Sequence, residues 1–107
     1  MTNHTTSIIV RFPVKPEKHE EFQVELRKLL EGLQQEDTFL EARIHNDLDD
    51  PNIVVFYETY RESRQSFLKR VPRQQWFKAF LEKLPNLLQR EREIFWSERT
   101  EVYNGRE

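Results

Sequence analysis

The chain has 107 residues, with 17 Lys or Arg against 19 Asp or Glu and a net charge of −2. That length holds one modest core, and that balance argues against a general affinity for nucleic acid or anionic membrane. The absence of cysteine excludes a disulfide framework, a thiolate nucleophile and a cysteine-ligated metal.

Hydrophobic residues make up 36% of the chain and charged ones 34%, which predicts a folded domain under a heavily solvated surface. No apolar run approaches a membrane span, and Met1-Thr2-Asn3-His4 does not open a secretory signal. The expectation is a soluble, cytoplasmic protein, one domain over 1–107 with its core over about 7–103.

In chain order, Ser7-Ile8-Ile9-Val10-Arg11-Phe12 is short and β-branched, a first strand. Pro13 and Pro16 end it, and Pro16 suits a helix start because its missing N–H costs nothing there. Glu17, Glu20 and Glu21 favour the helix dipole. Phe22, Leu26, Leu29, Leu30 and Leu33 then form one apolar stripe, which predicts a helix to about residue 35.

Two extended runs follow, near 38–46 and 52–60, joined by the acidic turn Asp47-Leu48-Asp49-Asp50-Pro51. They read as a β-hairpin. Arg61-Glu62-Ser63 opens a short helix to about residue 70, with Ser63 as its cap. Val71-Pro72 interrupts it. A third helix from about residue 73 carries Trp76, Phe77, Phe80, Leu81 and Leu84 on one side. Pro85 is expected to break or kink this helix, with one more turn over 86–88. Residues 93–103 read as a last strand, and 104–107 as a frayed tail.

The order β-α-β-β-α(α)-β predicts an α+β, ferredoxin-like fold with a four-stranded antiparallel sheet and its helices on one face. On the third strand Val54, Phe56 and Tyr60 point one way and Ile53, Val55 and Tyr57 the other. Both sets are apolar, and one helix layer covers one of them. The second set therefore predicts an obligate homodimer, sheet against sheet.

Five segments in this order carry a family resemblance: Val14-Lys15-Pro16-Glu17-Lys18; the hairpin from Leu40 to Asn52; Phe56-Tyr57-Glu58-Thr59-Tyr60; Trp76-Phe77-Lys78-Ala79-Phe80; and Leu84-Pro85-Asn86-Leu87-Leu88. Over about 7–103 the chain resembles the antibiotic biosynthesis monooxygenase domains, quinol monooxygenase-like members of the dimeric α+β barrel superfamily. The resemblance implies a cavity between sheet and helices in each subunit. It also implies oxidation of a small electron-rich aromatic, a quinol or phenol, by molecular oxygen with no cofactor and no metal. Such a substrate supplies the electrons itself, so the protein must supply an apolar slot, a proton acceptor and a donor for the developing reduced oxygen. The alternative within the same superfamily is a non-catalytic small-molecule-binding or stress-related protein.

Under this reading the catalytic candidates are Glu58, His45 and Tyr60, and the substrate-binding candidates are Phe56, Trp76, Phe80 and Arg70. Burial would raise the pKa of Glu58 and suit it to take a proton; the other reading pairs it structurally with Arg11, Arg43 or another strand arginine. His45 reads as a proton shuttle or a solvated strand-end residue. Tyr60 either lines the cavity mouth and bonds a substrate oxygen or is core with a wet hydroxyl. Trp76 and Phe80 either stack on an aromatic ligand or pack the core, and Trp96 reads as interface or core.

Many relatives carry histidines between the second and third helices; here that stretch is Lys69-Arg70-Val71-Pro72-Arg73-Gln74-Gln75-Trp76, with none. The Asn, Trp and His of the haem-degrading branch are replaced by Val10, Lys69 or Arg70, and Leu81, which argues against haem cleavage. RNA-recognition domains share the element order. The third strand nevertheless lacks their Gly and alternating exposed aromatics, so Lys69, Arg70, Arg73 and Lys78 read as a solvated face. No two histidines stand at metal-ligand spacing, and the acidic turn lacks the Gly and distal Glu of a calcium loop.

Overall fold

The computed structural model describes residues 4–106; Met1-Thr2-Asn3, on which the leader argument partly rests, and Glu107 of the tail lie outside the described residues. Strand β1 spans Thr6–Pro13, α1 His19–Leu33, β2 Phe39–Asn46, β3 Ile53–Tyr60, α2 Arg64–Arg70, α3 Gln75–Leu87 and β4 Glu93–Glu98. The four strands make one antiparallel sheet in the order β2-β3-β1-β4. This is the predicted ferredoxin-like fold. Within the chain the sheet is open, with β2 and β4 as free edges, so a closed barrel is not formed by this chain alone.

Alternation sorts the strand residues onto two faces. Ile8, Val10 and Phe12 stand opposite Glu58, Phe56 and Val54, and Ile8 and Val10 stand opposite Trp96 and Ile94. This inner face meets the helices. Phe22, Leu26, Leu29 and Leu33 of α1 and Phe80, Leu84 and Leu87 of α3 complete one core with Phe12, Phe56 and Tyr60. Phe12 lies 5.1 Å from Phe22 and 5.9 Å from Phe80, ring centre to ring centre, within the range of favourable tilted and edge-on aromatic pairs.

Local chemistry sets the boundaries. A 3-10 turn, Pro16–Lys18, precedes α1. Asp47 accepts the N–H groups of Asp49 and Asp50 at 3.0 and 2.9 Å, which turns the chain between β2 and β3. Those bonds, the Asp50 N–H first, hold its carboxyl below the usual range. Ser63 caps α2 by accepting the Ser66 N–H at 3.1 Å. A bulge at Leu40 shifts the register, so Phe39 faces Tyr60 inside while Glu41 pairs with Thr59 outside.

Three boundaries differ from expectation, and past Pro85 the helix makes the further turn expected there. Helix α1 ends at Leu33, two residues short of 35. Val71–Arg73 is a separate 3-10 turn, so α3 starts at Gln75. Pro85 lies inside α3 without ending it: the helix loses the Pro85 N–H but resumes with Leu88 N–H donating to the Leu84 carbonyl at 2.9 Å. Strand β4 stops at Glu98 rather than 103, because its partner β1 starts at Thr6, opposite Glu98. One further bond, Arg99 N–H to the Thr5 carbonyl at 2.8 Å, ends the ladder.

Candidate functional site

The inner face of the sheet does not close completely on the helices. A cavity of about 70 Å³ remains, floored by Ile8, Val10 and Phe12 of β1, Phe56 and Glu58 of β3, and Ile94 and Trp96 of β4. Leu29 of α1, Phe67 of α2 and Phe77, Phe80 and Leu81 of α3 roof it, with Arg92 at its border. The lining is apolar apart from Glu58 and Arg92.

Glu58 is 6% exposed. Its position on β3, between inward Phe56 and Tyr60, forces the side chain under the helices. Burial pushes its carboxyl up to about 7, and the hydrogen bond from Tyr60 opposes that rise. The Tyr60 hydroxyl donates to Glu58 Oε1 at 2.5 Å. Tyr60 is itself fully buried, gripped by Phe67 at 4.7 Å and Phe39 at 5.7 Å between ring centres. Burial, then the negative charge of Glu58, pushes its hydroxyl well above the usual tyrosine range. Near neutrality Tyr60 therefore stays a donor, while Glu58 exchanges a proton readily.

Neither Arg11 nor Arg43, the arginines expected to pair with Glu58, lies on its side of the sheet. Arg11 stands opposite Val55 and Arg43 opposite Tyr57, both on the outer face. There Arg11 meets Asp47 and Glu93 at 3.4 and 3.5 Å, and Arg43 meets Glu41 at 3.2 Å. The β-sheet alternation that buries Glu58 sends these arginines away from it.

The other expected site residues divide. Phe56 and Phe80 line the cavity beside Glu58. His45 pairs with Val55 on the outer face and is exposed, so the sheet separates it from Glu58. Tyr60 is neither at a cavity mouth nor wet, since its hydroxyl is spent on Glu58. Trp76 packs over Gly32 of α1 and is not part of the cavity lining. Trp96, expected in core or interface, does line it.

Arg70 is also elsewhere. It donates to both oxygens of Glu62 at 2.6 and 2.7 Å, to Glu36 at 2.6 Å and to Thr38 at 3.2 Å. Burial opposes ionisation of Glu62, but bonds from Arg70, Ser66 and Thr38 outweigh it and hold that carboxyl below the usual range. Arg70 thus ties α2 to the approach to β2, beside Tyr60.

The charged cavity residue missed from the sequence is Arg92. The signal was there: Arg92, Ile94 and Trp96 alternate onto one face, and Ile94 and Trp96 point inward. Among the described residues, no group of three or more His, Asp or Glu side chains is placed to hold a metal ion. No described helix is long and apolar enough to cross a membrane.

Comparison with known proteins agrees with this architecture. A conserved protein from Methanosarcina mazei superposes with a TM-score of 0.81 at 24% identity, over 91% of this chain and 94% of that one. A protein of Pseudomonas aeruginosa superposes at 0.77 with 25% identity, over 94% and 98%. The crystal structure of an antibiotic biosynthesis monooxygenase gives 0.77 with 19% identity, over 90% and 99%. A search of curated protein sequences finds no match. The family model described as antibiotic biosynthesis monooxygenase matches residues 5–83, a span that runs from β1 into α3 and includes Glu58, Tyr60 and most of the cavity roof. The chain belongs to the antibiotic biosynthesis monooxygenase family.

Proposed function

We propose that this protein oxidises a small electron-rich aromatic, of the phenol or quinol type, with molecular oxygen in the cavity beside Glu58. The observation that carries this reading is a buried carboxyl group, bonded by Tyr60, in a hollow whose lining is apolar but for Arg92; burial pushes that carboxyl up to about 7. A phenol ionises near ~10 in water, so a buried acceptor that is half-ionised at neutral pH lowers the cost of removing its proton.

Glu58 takes the substrate hydroxyl proton, and Tyr60 holds the receiving carboxylate in place. The phenolate then gives an electron to oxygen. For an anthrone-like phenol, the ring methylene loses two hydrogens and gains one oxygen atom. The second oxygen leaves as water, and all four electrons come from the substrate. The balance needs no further reductant, which suits an apolar cavity.

We also propose that the outer sheet face is the contact between two copies. Ile9, Val55 and Tyr57 are half-buried there and Phe95 is 50% exposed. Arg11, Arg43, Glu41 and His45 surround them. An apolar centre with a charged rim is the ordinary anatomy of a protein interface.

A second reading is favoured by the size of the cavity. At about 70 Å³ it holds roughly two waters at ~30 Å³ each, well below the ~300 Å³ of common ligand pockets. A protein that binds a small molecule without turnover accounts for that value.

Oxygen uptake by metal-free protein with a panel of hydroquinones and anthrone-like phenols separates the two. Catalytic uptake that falls at least tenfold in Glu58→Gln supports the oxygenase. Uptake no faster than the protein-free rate across the panel favours the second reading.

A further inference from the structure

Leu81 and Arg92 border two hollows. On one side is the Glu58 cavity. On the other is an open groove of about 260 Å³, walled by Leu84, Pro85 and Leu88 and by the loop Gln89 to Arg92. These two side chains are common to the groove and to the hollow that holds the buried carboxyl. If they part, the joined space reaches the lower end of the ~300–1,000 Å³ range of ligand pockets.

The loop carrying Arg92 is anchored on both sides. Gln89 donates its backbone N–H to the Pro13 carbonyl at 2.8 Å and its side-chain amide to the Val14 carbonyl at 2.9 Å. Glu93, next in the chain, pairs with Arg11. Arg11, Arg43, Arg70 and Arg99 each have a carboxylate partner. Arg92 makes no side-chain hydrogen bond or ion pair within the described residues, although it is half-buried against apolar wall. With Arg90 and Glu91 beside it, the groove has an excess of positive charge. A half-desolvated guanidinium binds planar anions well, through two parallel N–H bonds.

We propose that Leu81 and Arg92 form the entrance to the cavity, and that the ligand is an aromatic acid. Its ring enters between sheet and α3 toward Glu58, and its carboxylate rests on Arg92. This rests on the cavity being the ligand site, and it narrows the substrate class from any phenol to one with an anionic substituent. Arg92 then determines specificity, while Glu58 meets the ring hydroxyl.

The test is calorimetric titration of the protein with 4-hydroxybenzoate and with its neutral amide, 4-hydroxybenzamide, repeated on Arg92→Gln and Arg92→Lys. The acid is expected to bind roughly tenfold more tightly than the amide, as one charge-assisted contact allows. Arg92→Gln should erase that difference and Arg92→Lys keep part of it. Equal affinity for acid and amide in the unaltered protein, or a preference that survives in Arg92→Gln, overturns the aromatic-acid assignment and leaves the cavity a ligand site. Binding of neither compound at millimolar concentration overturns the aromatic-acid assignment, while oxygen uptake with the neutral hydroquinones decides the cavity reading by itself. The comparison of acid with amide in the unaltered protein holds even if a variant folds poorly.

Discussion

A carboxyl group enclosed by Phe56, Phe80 and Ile8 gives up its proton only against the cost of losing water, and this couples Glu58 to pH. Its pKa in the fold is about 7 against an ordinary value of 4.5. Between those values the unfolded chain releases the proton while the folded one retains it. Stability from this group is therefore complete below pH 4.5 and is lost as pH rises through 7, on the order of 3 kcal/mol in all. Denaturant titrations from pH 4 to 8 should show this downward slope in the native protein and its loss in Glu58→Gln. Parallel curves for the two would remove the buried-acid argument. Tyr60→Phe deletes the donor that favours the charged form, so it should raise the pKa of Glu58 further, readable by carboxyl-carbon NMR; an unchanged or lowered value contradicts the pairing. The sequence showed that Glu58 stood in an apolar run but not what it met. Its partner is two residues away on the same strand face, a spacing visible in Glu58-Thr59-Tyr60, whereas the strand arginines suggested by charge lie on the opposite face. His45 takes the second of its two readings, an exposed residue near the end of β2, because alternation puts it opposite Val55 on the outer face.

Helix α1 and helix α3 touch where Gly32 meets the indole of Trp76. A Cβ at Gly32 would lie 2.3 Å from Trp76 Cδ2, so close packing, not a turn, requires glycine here. Gly32→Ala gains ~1 kcal/mol of helix propensity but must displace a large ring at a cost of ~1–3 kcal/mol. The expected result is net destabilisation, changing to stabilisation by about 1 kcal/mol in a Trp76→Ala background, as thermal or urea unfolding would show. The same sign in both backgrounds contradicts the packing account. Arg70 holds α2 by its bonds to Glu62 and Glu36. Arg70→Met should cost about 3 kcal/mol, the usual penalty of orphaning a buried partner; a loss within 0.5 kcal/mol, the scale of ordinary surface substitutions, would show the network to be a surface ornament. Periodicity and caps made the helices and the hairpin legible. The Leu40 bulge was not legible, because it depends on Phe39 and Glu41 needing opposite faces of β2. Nor was the end of β4, which is fixed by where its partner β1 begins and not by the β-prone residues that follow Glu98.

At the scale of the whole molecule, the fold follows from element order and two-sided apolar strands, and the family from five short segments, while the chemistry depends on what the sheet and helices leave unfilled between them. That residual space is a difference of packed volumes, and no pattern in the chain reports it. The outer sheet face predicts a stable dimer, and light scattering at micromolar concentration should return twice the chain mass of 13.2 kDa. A folded monomer there would remove the interface argument, and Phe95→Glu should weaken a real dimer by placing a charge in its apolar centre. Glu58 is proposed to accept the substrate proton. The most direct test of that role is the pH dependence of oxygen uptake per substrate, kcat/KM, for the native protein beside Glu58→Gln. With Glu58 as the acceptor, the native profile rises with a midpoint near 7, the value burial imposes on that carboxyl, and the variant is slow with no such midpoint. A profile of the same shape and height in Glu58→Gln would contradict it.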